Sequence, residues 1–467
     1  MLRTMPARLL LLDVVGLVPE LLGPRLSALA RSGWQRSLRP SLPAVTCTSQ
    51  ATMLTGRLPE SHGIVGNGWY FHDLSEVLFW RQSHRLVQAP VVWDTARALR
   101  PGLRVAQMFW WFNMYSSADV AVTPRPEYPA DGRKIPGIYT QPAALRARLE
   151  ARCGPFPLFH FWGPMADLSS TRWIADASLD VLAHDAPDLL LAYLPHLDYV
   201  LQTHGPGHPR VAIEAAAVDE QAGRLVDAAR AAGMEVVVVS EYGIGPVSRV
   251  AYPNRALREA GLLAALWQDS VGETLDAGAS RAFAVCDHQV AHVHVADPAD
   301  EPAVARLLGA LPGVRRVLRG AERRAAGLDH PRSGSLVLEA EPDAWFAYPY
   351  WLDDRRAPDF ARTVDIHRKP GYDPAELLLD PALSRPRLRI ARRLLARKLG
   401  FRNLLDVIPL DPSPIAGSHG HVPEGSALWP LAIGSAGVSA PPDDADLRAV
   451  HDLVLHTLTG RPAGSGR

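Results

Sequence analysis

Short apolar runs that alternate with helical patterns constrain the fold of this chain more than any other feature of its sequence. Such pairs of a run and a helical stretch occur at 9–15 with 19–32, at 188–194 with 212–232, and at 235–239 with 255–267. Buried strands separated by amphipathic helices are typical of a parallel sheet that carries helices on both faces. The sequence therefore predicts an α/β fold with a mostly parallel central sheet.

Acidic and hydroxyl side chains stand where these apolar runs end. Asp13 falls at the end of the first run, Asp198 follows the second, and Ser240-Glu241-Tyr242 follows the third. In parallel α/β sheets the functional groups gather at the carboxyl ends of the strands. We therefore expect these positions to lie together in one site.

The segment 281–349 has a different pattern from the rest of the chain. Apolar and polar residues alternate in 283–295 and 335–340, with a helix-like stretch at 301–311 and a strand-like stretch at 314–318 between them. Such a mixture predicts a small α+β insertion, for which a cap over the site is one role. The expected organisation is a core at 1–280 and 350–460, an insertion at 281–349 and a disordered tail at 461–467.

The charge balance excludes binding that depends on a strong overall field. The chain of 467 residues contains 49 basic and 49 acidic residues. Without net charge it has no global attraction for nucleic acid or for anionic membrane surfaces, so charge-driven binding must be local. We expect neither nucleic acid nor a membrane as a partner.

Cysteine content and the start of the chain bear on its location. Cys47, Cys153 and Cys286 are too few and too scattered for a disulfide framework, which favours a reducing compartment. The opening resembles a signal peptide, but Asp13 interrupts its apolar run early, so we interpret the run as a buried first strand. No apolar stretch reaches the roughly 20 residues that span a bilayer. A cytoplasmic location is expected.

Residues 385–402 form a strongly basic helical pattern. Leu388, Ala391, Leu395 and Leu399 lie along one face of it. We interpret the pattern as a solvated helix that packs through this apolar face. A patch that binds phosphate or a membrane is the alternative.

The segment from Thr46 to Asn67 carries the most specific pattern in the chain. Thr46 is followed nine and ten residues later by Thr55-Gly56, then by Pro-Glu-Ser-His-Gly-Ile at 59–64, and then by Asn67. The segment resembles, in register, the nucleotide pyrophosphatase/phosphodiesterase family of the alkaline phosphatase superfamily. The resemblance implies an alkaline phosphatase-like core and a phosphohydrolase activity.

The resemblance also implies roles for individual residues. Thr46 would attack phosphorus, and Asn67 would donate to a non-bridging oxygen on which negative charge develops. A threonine hydroxyl is barely ionised at neutral pH, so it needs activation, which the family obtains from two divalent metal ions, zinc by resemblance. The positions that match the family's metal ligands are Asp13, Thr46, Asp198, Gln202, Glu241 and His419.

Two of the matched blocks depart from the family pattern. The histidine expected four residues after Asp198 is Gln202, and the family's Ser-Asp-His-Gly is Ser-Glu-Tyr-Gly here, with Glu241 and Tyr242. Both changes remove nitrogen ligands of the kind that zinc favours. We therefore expect a harder ion such as manganese or magnesium, or one metal held tightly and another weakly. Other residues that could complete the site are His204, Tyr242, Asp287, His288 and His367.

Aromatic residues cluster in two short stretches, at 69–71 and 109–112, and Trp162 and Trp173 add to them. Part of this set is expected in the core. The stretch just after Asn67 falls where the family lines its substrate pocket, so stacking on a base or another organic group is the other role.

Together these observations predict a metal-dependent phosphohydrolase that cleaves a phosphodiester or pyrophosphate bond in a small-molecule phosphoester. The reaction would pass through a phosphorylated Thr46. The alternatives are a carbon–phosphorus hydrolase resembling phosphonoacetate hydrolase, a phosphotransferase, and a non-catalytic binding protein descended from an enzyme. Gln202 and Tyr242 motivate the last alternative, and the intact Thr46 and Asn67 argue against it. The sequence patterns identify neither the physiological substrate nor the oligomeric state.

Overall fold

The computed structural model describes residues 6–130, 133–401 and 403–461, so residues 462–467 of the expected tail lie outside it. The strands within the described residues are β1 Arg8–Val14, β2 Trp34–Ser37, β3 Gly68–Phe71, β4 Glu76–Phe79, β5 Val105–Met108, β6 Val120–Pro124, β7 Ile138–Gln141, β8 Leu189–Leu194, β9 Met234–Val239, β10 Gly245–Pro246, β11 Arg249–Ala251, β12 Ala264–Gln268, β13 Gly272–Asp276, β14 Ala282–Asp287, β15 Val290–Val295, β16 Val314–Arg319, β17 Leu336–Ala340, β18 Ala344–Phe346, β19 Gly417–Ser418 and β20 Leu431–Gly434.

The α-helices of the same residues are α1 Pro24–Ser32, α2 Thr46–Thr55, α3 Pro59–His62, α4 Val92–Leu99, α5 Leu145–Cys153, α6 Leu168–Asp185, α7 His196–His204, α8 Pro209–Ala231, α9 Pro253–Glu259, α10 Glu301–Gly309, α11 Gly320–Ala325, α12 Pro386–Lys398 and α13 Ala449–Thr459. Local sequence explains where several of them start. Proline opens α1, α8 and α9, a position where its missing N–H costs nothing. The Asp167 carboxylate caps α6 by accepting the Ser169 N–H.

The central sheet has eight strands in the order β2-β20-β9-β1-β8-β5-β6-β7. β9, β1, β8, β5 and β6 pair in parallel. The pairs β2–β20, β20–β9 and β6–β7 at the two sides are antiparallel. The predicted mostly parallel α/β fold is therefore confirmed, and β1, the interpreted first strand, lies inside the sheet.

Helices cover the sheet on both faces. Successive side chains of a strand point to opposite faces, and all six residues of β8 are buried. In one group of helices, α8 contacts both α1 and α6, and all three contact strands of the sheet. In a second group, α13 contacts both α2 and α4. This layering leaves the carboxyl ends of β1, β8 and β9 beside one another, where Asp13, Asp198 and Glu241 stand.

The predicted helix at 255–267 is correct only in its first half. The α-helix α9 ends at Glu259, and Gly261 adopts a left-handed φ of 71° that favours glycine. Beyond it, β12 pairs antiparallel with β13 as a hairpin. Cross-strand pairing therefore overrides the helical spacing of the apolar residues in this stretch.

The segment 281–349 contains the strands and the helix that its sequence pattern predicts. β14, β15, β17 and β16 form a separate four-stranded antiparallel sheet, and α10 packs on β16. Its buried side chains join a cluster that also includes Phe79 and Leu257 from outside the segment. We keep the division into core and insertion as a proposal, and note that the β14–β15 turn reaches the site described below.

The expectation that α12 packs through its leucine face is wrong. Leu388, Leu395 and Leu399 are exposed, and the helix contacts the rest of the chain through Ile390 on another side. Among the described residues, no helix is long and apolar enough to cross a membrane.

Candidate active site

The N-terminus of α2 places Thr46 in the candidate site. Thr46 is the first residue of this helix, all ten of whose residues are buried. Val45 before it is extended and provides no side-chain cap. The Cys47 N–H instead donates to the Asn67 side-chain oxygen at 3.0 Å. The sequence pattern that links Thr46 to Asn67 is therefore a direct contact at a helix N-terminus, an end that favours phosphate-like anions.

Asp287 holds Asn67 in place from the insertion sheet. The Asn67 backbone N–H donates to Asp287 Oδ2 at 2.7 Å, and its side-chain amide donates to Asp287 Oδ1 at 3.1 Å. Burial raises the pKa of Asp287 to about 6, although the bonds from Asn67 act in the opposite direction. One hydrogen of the Asn67 amide is left for another acceptor. Asp287 is one of the residues that the sequence offers for completing the site.

Gln50 connects the carboxylates at the ends of β1 and β9. Its amide nitrogen donates to Asp13 Oδ2 at 3.2 Å and to Glu241 Oε1 at 2.7 Å, and its oxygen accepts the Trp111 N–H at 2.8 Å. The second oxygens, Asp13 Oδ1 and Glu241 Oε2, are buried and have no hydrogen-bond partner among the described residues. These two carboxylates therefore each keep one free oxygen in the interior.

Both carboxylates are destabilised as anions. Complete burial is the main reason that the pKa of Asp13 and that of Glu241 lie above their ordinary values. Their mutual repulsion raises the pKa of Asp13 further. Buried carboxylates are normally compensated by a cation or by hydrogen bonds. Hydrogen bonds with several neighbouring side chains, Gln50 among them, lower the pKa of Glu241 and offset part of this effect, whereas the bond from Gln50 alone does so for Asp13.

Asp198, in the first turn of α7, has partners on both of its oxygens. Gln202 Nε2 donates to Oδ2 at 2.7 Å, and the Tyr242 hydroxyl donates to Oδ1 at 3.3 Å. The Gln202 oxygen in turn accepts the Tyr372 hydroxyl at 2.8 Å. Burial raises the pKa of Asp198 to about 7. Gln202 and Tyr242 are thus engaged with Asp198 itself.

A hydroxyl chain joins the candidate nucleophile to Asp198. The Thr46 and Tyr242 hydroxyl oxygens lie 2.8 Å apart. A phenol carries one hydrogen, so a Tyr242 that donates to Asp198 accepts from Thr46. The geometry therefore orders the donors as Thr46, then Tyr242, then Asp198.

His419 lies against Tyr242, the middle member of these hydrogen-bonded groups, and His288 lies next to His419. The His419 ring stacks on the Tyr242 ring with centroids 3.5 Å apart. The centroid of the His288 ring lies 3.8 Å from that of the His419 ring. His419 Nδ1 lies 2.8 Å from the Ala44 carbonyl oxygen, and His288 Nδ1 lies 2.8 Å from Asp287 Oδ1. These acceptors fix the proton on Nδ1, and burial lowers the pKa of both rings. Each Nε2 therefore keeps a lone pair, and neither has a hydrogen-bond partner among the described residues.

The site contains carboxylate oxygens and imidazole nitrogens, which are donor atoms that divalent cations bind. Four buried atoms have no partner: the carboxylate oxygens Asp13 Oδ1 and Glu241 Oε2, and the imidazole nitrogens His288 Nε2 and His419 Nε2. Against this, no group of three or more His, Cys, Asp or Glu side chains within the described residues is gathered closely enough to hold a metal ion. Each buried polar atom without a partner nevertheless costs free energy that a bound cation would recover.

Half-buried aromatic rings lie next to the Gln50 end of the site. The Trp80 and Trp111 rings are 4.9 Å apart, and Tyr372 lies 6.1 Å from Trp80. Trp69 is buried with Cys47 and Phe112 in one apolar cluster. Of the aromatic residues noted in the sequence, Trp173 packs in the main core, while Trp111 borders the site.

His204 and His367 lie in other surroundings. The His204 ring stacks on His208 at 4.8 Å, at the partly exposed end of α7. His367 lies near Phe79 and Arg81, and burial lowers its pKa to about 4. Among the residues left open at the sequence level, Tyr242, Asp287 and His288 are therefore the ones that the structure brings to Thr46 and His419.

Gln50 and Tyr372 are the contacts that sequence reasoning missed. Gln50 stands four residues after Thr46, a spacing that places both on one face of a helix. That signal was present in the sequence, because α2 could be predicted from the nucleophile segment. Tyr372 carried no such signal, since only the folded chain brings it to Gln202.

Known structures share this fold over almost the whole chain. Phosphonoacetate hydrolase from Sinorhizobium meliloti, in complex with phosphonoformate, superposes with a TM-score of 0.58, covering 98% of this chain and 96% of that one at 16% identity. An inactive variant of murine ectonucleotide pyrophosphatase/phosphodiesterase 5, in complex with AMP, gives a TM-score of 0.57, covering 97% and 95% at 14% identity. At these identities the likeness shows the fold alone.

Sequence comparison identifies the family. An uncharacterized pyrophosphatase/phosphodiesterase of Schizosaccharomyces pombe is 27% identical over 220 residues, which is 45% of this chain and 38% of the yeast protein. The chain thus matches well under half the length of that relative. Residues 9–373 match the family described as type I phosphodiesterase/nucleotide pyrophosphatase. Since this match spans most of the chain, the chain belongs to the type I phosphodiesterase/nucleotide pyrophosphatase family.

Proposed function

We propose that this protein hydrolyses a phosphodiester or pyrophosphate bond in a small-molecule phosphoester, with Thr46 as the nucleophile. The observation that carries the proposal is the position of the Thr46 hydroxyl. It stands at the N-terminus of a buried helix, within hydrogen-bond distance of Tyr242 and close to the buried carboxylates of the strand ends. In a family member, this placement supports attack of the threonine oxygen on phosphorus and a phosphorylated Thr46 intermediate.

The chain's own residues provide a route for the Thr46 proton. In the order of donors described above, this proton moves to Tyr242 as the Tyr242 proton moves to Asp198. Asp198, which accepts the hydrogen bond of the Tyr242 hydroxyl, is the carboxylate at the end of this route. The Thr46 oxygen then carries the electron pair that forms the new bond to phosphorus, while the bond from phosphorus to the leaving-group oxygen breaks and that oxygen departs with its electron pair. Water later attacks the phosphorus of phospho-Thr46 and gives up a proton. The bond from phosphorus to the Thr46 oxygen breaks, and the same route returns a proton to that oxygen.

Asn67 would hold an oxygen of the transferring phosphoryl group. The contacts with Cys47 and Asp287 leave one amide hydrogen for that oxygen and prevent the side chain from turning away. A donor that is fixed before the reaction stabilises developing charge without reorganising. This role agrees with the register of the family pattern.

We further propose two divalent cations, held by different donor sets. Asp13, Thr46 and Glu241 offer oxygen atoms for one, a set that suits manganese or magnesium. Asp198, Gln202 and His419 stand at the matching positions of the other, with His288 as a further nitrogen donor. When bound, such ions lower the pKa of the attacking hydroxyl and offset phosphoryl charge. Because Asp198 already accepts two hydrogen bonds, the second set is the weaker one.

The aromatic rings beside the site favour a substrate that contains a planar ring. Trp80 and Trp111 are half-buried and lie within stacking distance of each other. Stacking of a nucleobase or another planar ring on such side chains is a favourable contact. Phosphonoacetate, the substrate in the name of a structural neighbour, has no ring and carries a second anionic group.

A substrate panel tests the proposal. Purified protein would be supplied in turn with manganese, magnesium and zinc and assayed on a nucleoside nitrophenyl phosphodiester, on nitrophenyl phosphate and on phosphonoacetate. We expect the diester to be the best substrate and Thr46→Ala to remove its turnover. Thr46→Ser, which keeps a hydroxyl, is the matched control. Faster release of phosphate from phosphonoacetate, or no turnover of any ester with any ion, would contradict the proposal.

A further inference from the structure

Helix α12 presents an apolar face to solvent. Leu388, Leu395 and Leu399 follow one another along this face, with exposed fractions of 51%, 58% and 66%. Phe401, just beyond the helix, is 67% exposed. Single exposed leucines are common on protein surfaces, but an aligned row at helical spacing marks an interaction surface.

The opposite side of α12 is attached to the body of the protein. Ile390 packs with Val407 and Ile408 in a small apolar cluster. Arg389 and Arg393 both form ion pairs with Asp406, and the Arg393 pair has a nitrogen–oxygen distance of 3.1 Å. These contacts set the rotation of the helix about its axis. The leucine face therefore points outward because other side chains hold the helix, and not because the helix is detached.

The charge around this face has one sign. Residues 385–402 include eight basic residues and no acidic residue, in a chain whose basic and acidic residues balance overall. Arg392 and Lys398 are both exposed and flank the row of leucines on either side. An apolar stripe bordered by arginine and lysine is the pattern of helices that lie in a membrane interface.

We propose that α12 is a docking surface for an anionic lipid membrane. The leucine face would enter the boundary between headgroups and acyl chains, and the flanking basic side chains would contact anionic headgroups. In this arrangement the helix lies along the membrane surface and does not cross the bilayer. Such binding is compatible with a chain of zero net charge. It depends on local charge, which a balanced total does not remove.

A lipid surface fits this face better than a second copy of the chain. In a twofold dimer the same patch meets itself, so two copies of the basic helix would lie side by side. Like charges at such close range are unfavourable unless acidic residues compensate, and 385–402 contains none. Anionic headgroups supply the opposite charge and accept the leucines at the same time.

Vesicle binding of the full-length protein tests the proposal. Co-sedimentation with phosphatidylcholine vesicles would be compared with co-sedimentation with mixed phosphatidylcholine/phosphatidylserine vesicles, at low and high salt. We expect binding to the mixed vesicles, little binding to phosphatidylcholine alone, and a loss of binding as salt screens the charges. No binding to mixed vesicles at low salt would overturn the proposal.

Two sets of variants separate the apolar from the charged contribution. The triple change Leu388→Gln, Leu395→Gln and Leu399→Gln keeps helix propensity and should lower partitioning to mixed vesicles by roughly tenfold or more. Replacing Arg392 and Lys398 by Gln should lower it about fivefold for each charge removed. Leu74→Gln, an exposed leucine on another surface, is the control and should change nothing.

Other occupants of the face give different results. Unchanged vesicle binding in both variant sets would place the membrane contact elsewhere and overturn the proposal. A wild-type dimer in solution that the triple variant converts to a monomer, without vesicle binding, would make the face a subunit interface. Binding to soluble polyglutamate but not to vesicles would indicate an acidic protein partner instead. Circular dichroism of each variant verifies that α12 and the fold are retained, and the surface charge variant keeps the test valid if the triple variant is unstable.

Discussion

The segment from Thr46 to Asn67 and the two strand-end blocks at 198–202 and 240–243 keep the family pattern to different degrees. The first matches it in register, and its key side chains touch one another: Asn67 accepts from the helix that starts at Thr46. In the second, Gln202 and Tyr242 replace histidines and both donate to Asp198. The segment with the proposed nucleophile thus keeps the pattern, while the blocks proposed to bind cations carry Gln202 and Tyr242, which form hydrogen bonds with Asp198.

This difference separates two parts of the proposed chemistry. Attack by a threonine depends on the first region, whereas the affinity for cations depends mainly on the second. A site can retain its nucleophile and phosphoryl-oxygen donor and still bind metal weakly, because different side chains carry the two tasks.

The largest effect is expected from loss of the nucleophile. Thr46→Ala should lower kcat by roughly 10⁴-fold or more, since it removes the hydroxyl that is proposed to attack phosphorus. Steady-state kinetics with a nitrophenyl phosphodiester measures this, with thermal unfolding to show that the fold is intact. Turnover close to that of the wild type would show that Thr46 is not the nucleophile. The segment from Thr46 to Asn67 would then have no separate role in the chemistry.

Asn67→Ala should have the next largest effect. If its amide holds a transferring oxygen, kcat should fall roughly 10²- to 10³-fold while KM changes little. Cys47 N–H would also lose its acceptor, so Asn67→Asp, which keeps the acceptor but not the donor, is the matched comparison. A change confined to KM in both variants would assign Asn67 to substrate binding only.

Restoring histidine in the second region should tighten zinc. Gln202→His and Tyr242→His each replace a group that hydrogen bonds to Asp198 with a nitrogen ligand, and we expect zinc affinity to rise roughly 10- to 100-fold. Titration calorimetry on chelated protein measures the change. Gln221→His, the same change at a buried glutamine of α8 away from the site, should have no effect. Equal affinities for all four proteins would mean that neither position faces an ion.

The smallest effect concerns stability and pH without metal. Burial raises the pKa of Asp198 from its ordinary value of 3.8 to about 7, so the folded chain binds a proton that the unfolded chain has released between these values. The contribution of protonated Asp198 to the free energy of unfolding of the wild type is fully present below about pH 4 and is lost as the pH rises towards 7. Asp198→Asn cannot ionise, so its Tm relative to the wild type should increase by several degrees over that range, on the order of a few kcal/mol. The exposed Asp73→Asn should show a constant difference, and a constant difference for Asp198→Asn would contradict the assigned burial.

Much of the fold follows from the sequence, because buried strands and amphipathic helices have different periods. The runs that became β1, β8 and β9 were predicted, and so was the meeting of Asp13, Asp198 and Glu241 at their ends. The helix predicted at 255–267 was wrong in its second half, since pairing with β13 is a contact that local spacing does not encode.

The site was less predictable where it depends on contacts across the chain. The register of Thr46 and Asn67 identified the nucleophile segment, but the place of His288 beside His419 depends on how the β14–β15 turn meets a loop more than a hundred residues away. Gln202 was named as a ligand position. Its observed bonds to Asp198 and Tyr372 could be found only in the folded chain.

Cation binding by the chelated wild-type protein tests the central claim most directly. The claim is that the donor set of Asp13, Thr46 and Glu241 binds a hard cation more firmly than the set of Asp198, Gln202 and His419 binds any ion. Titration calorimetry with manganese, magnesium and zinc, together with the metal content of the purified protein, gives the number and affinity of the ions. We predict one manganese or magnesium ion bound tightly and a second ion bound at least tenfold more weakly. Two zinc ions held tightly through purification would contradict the account.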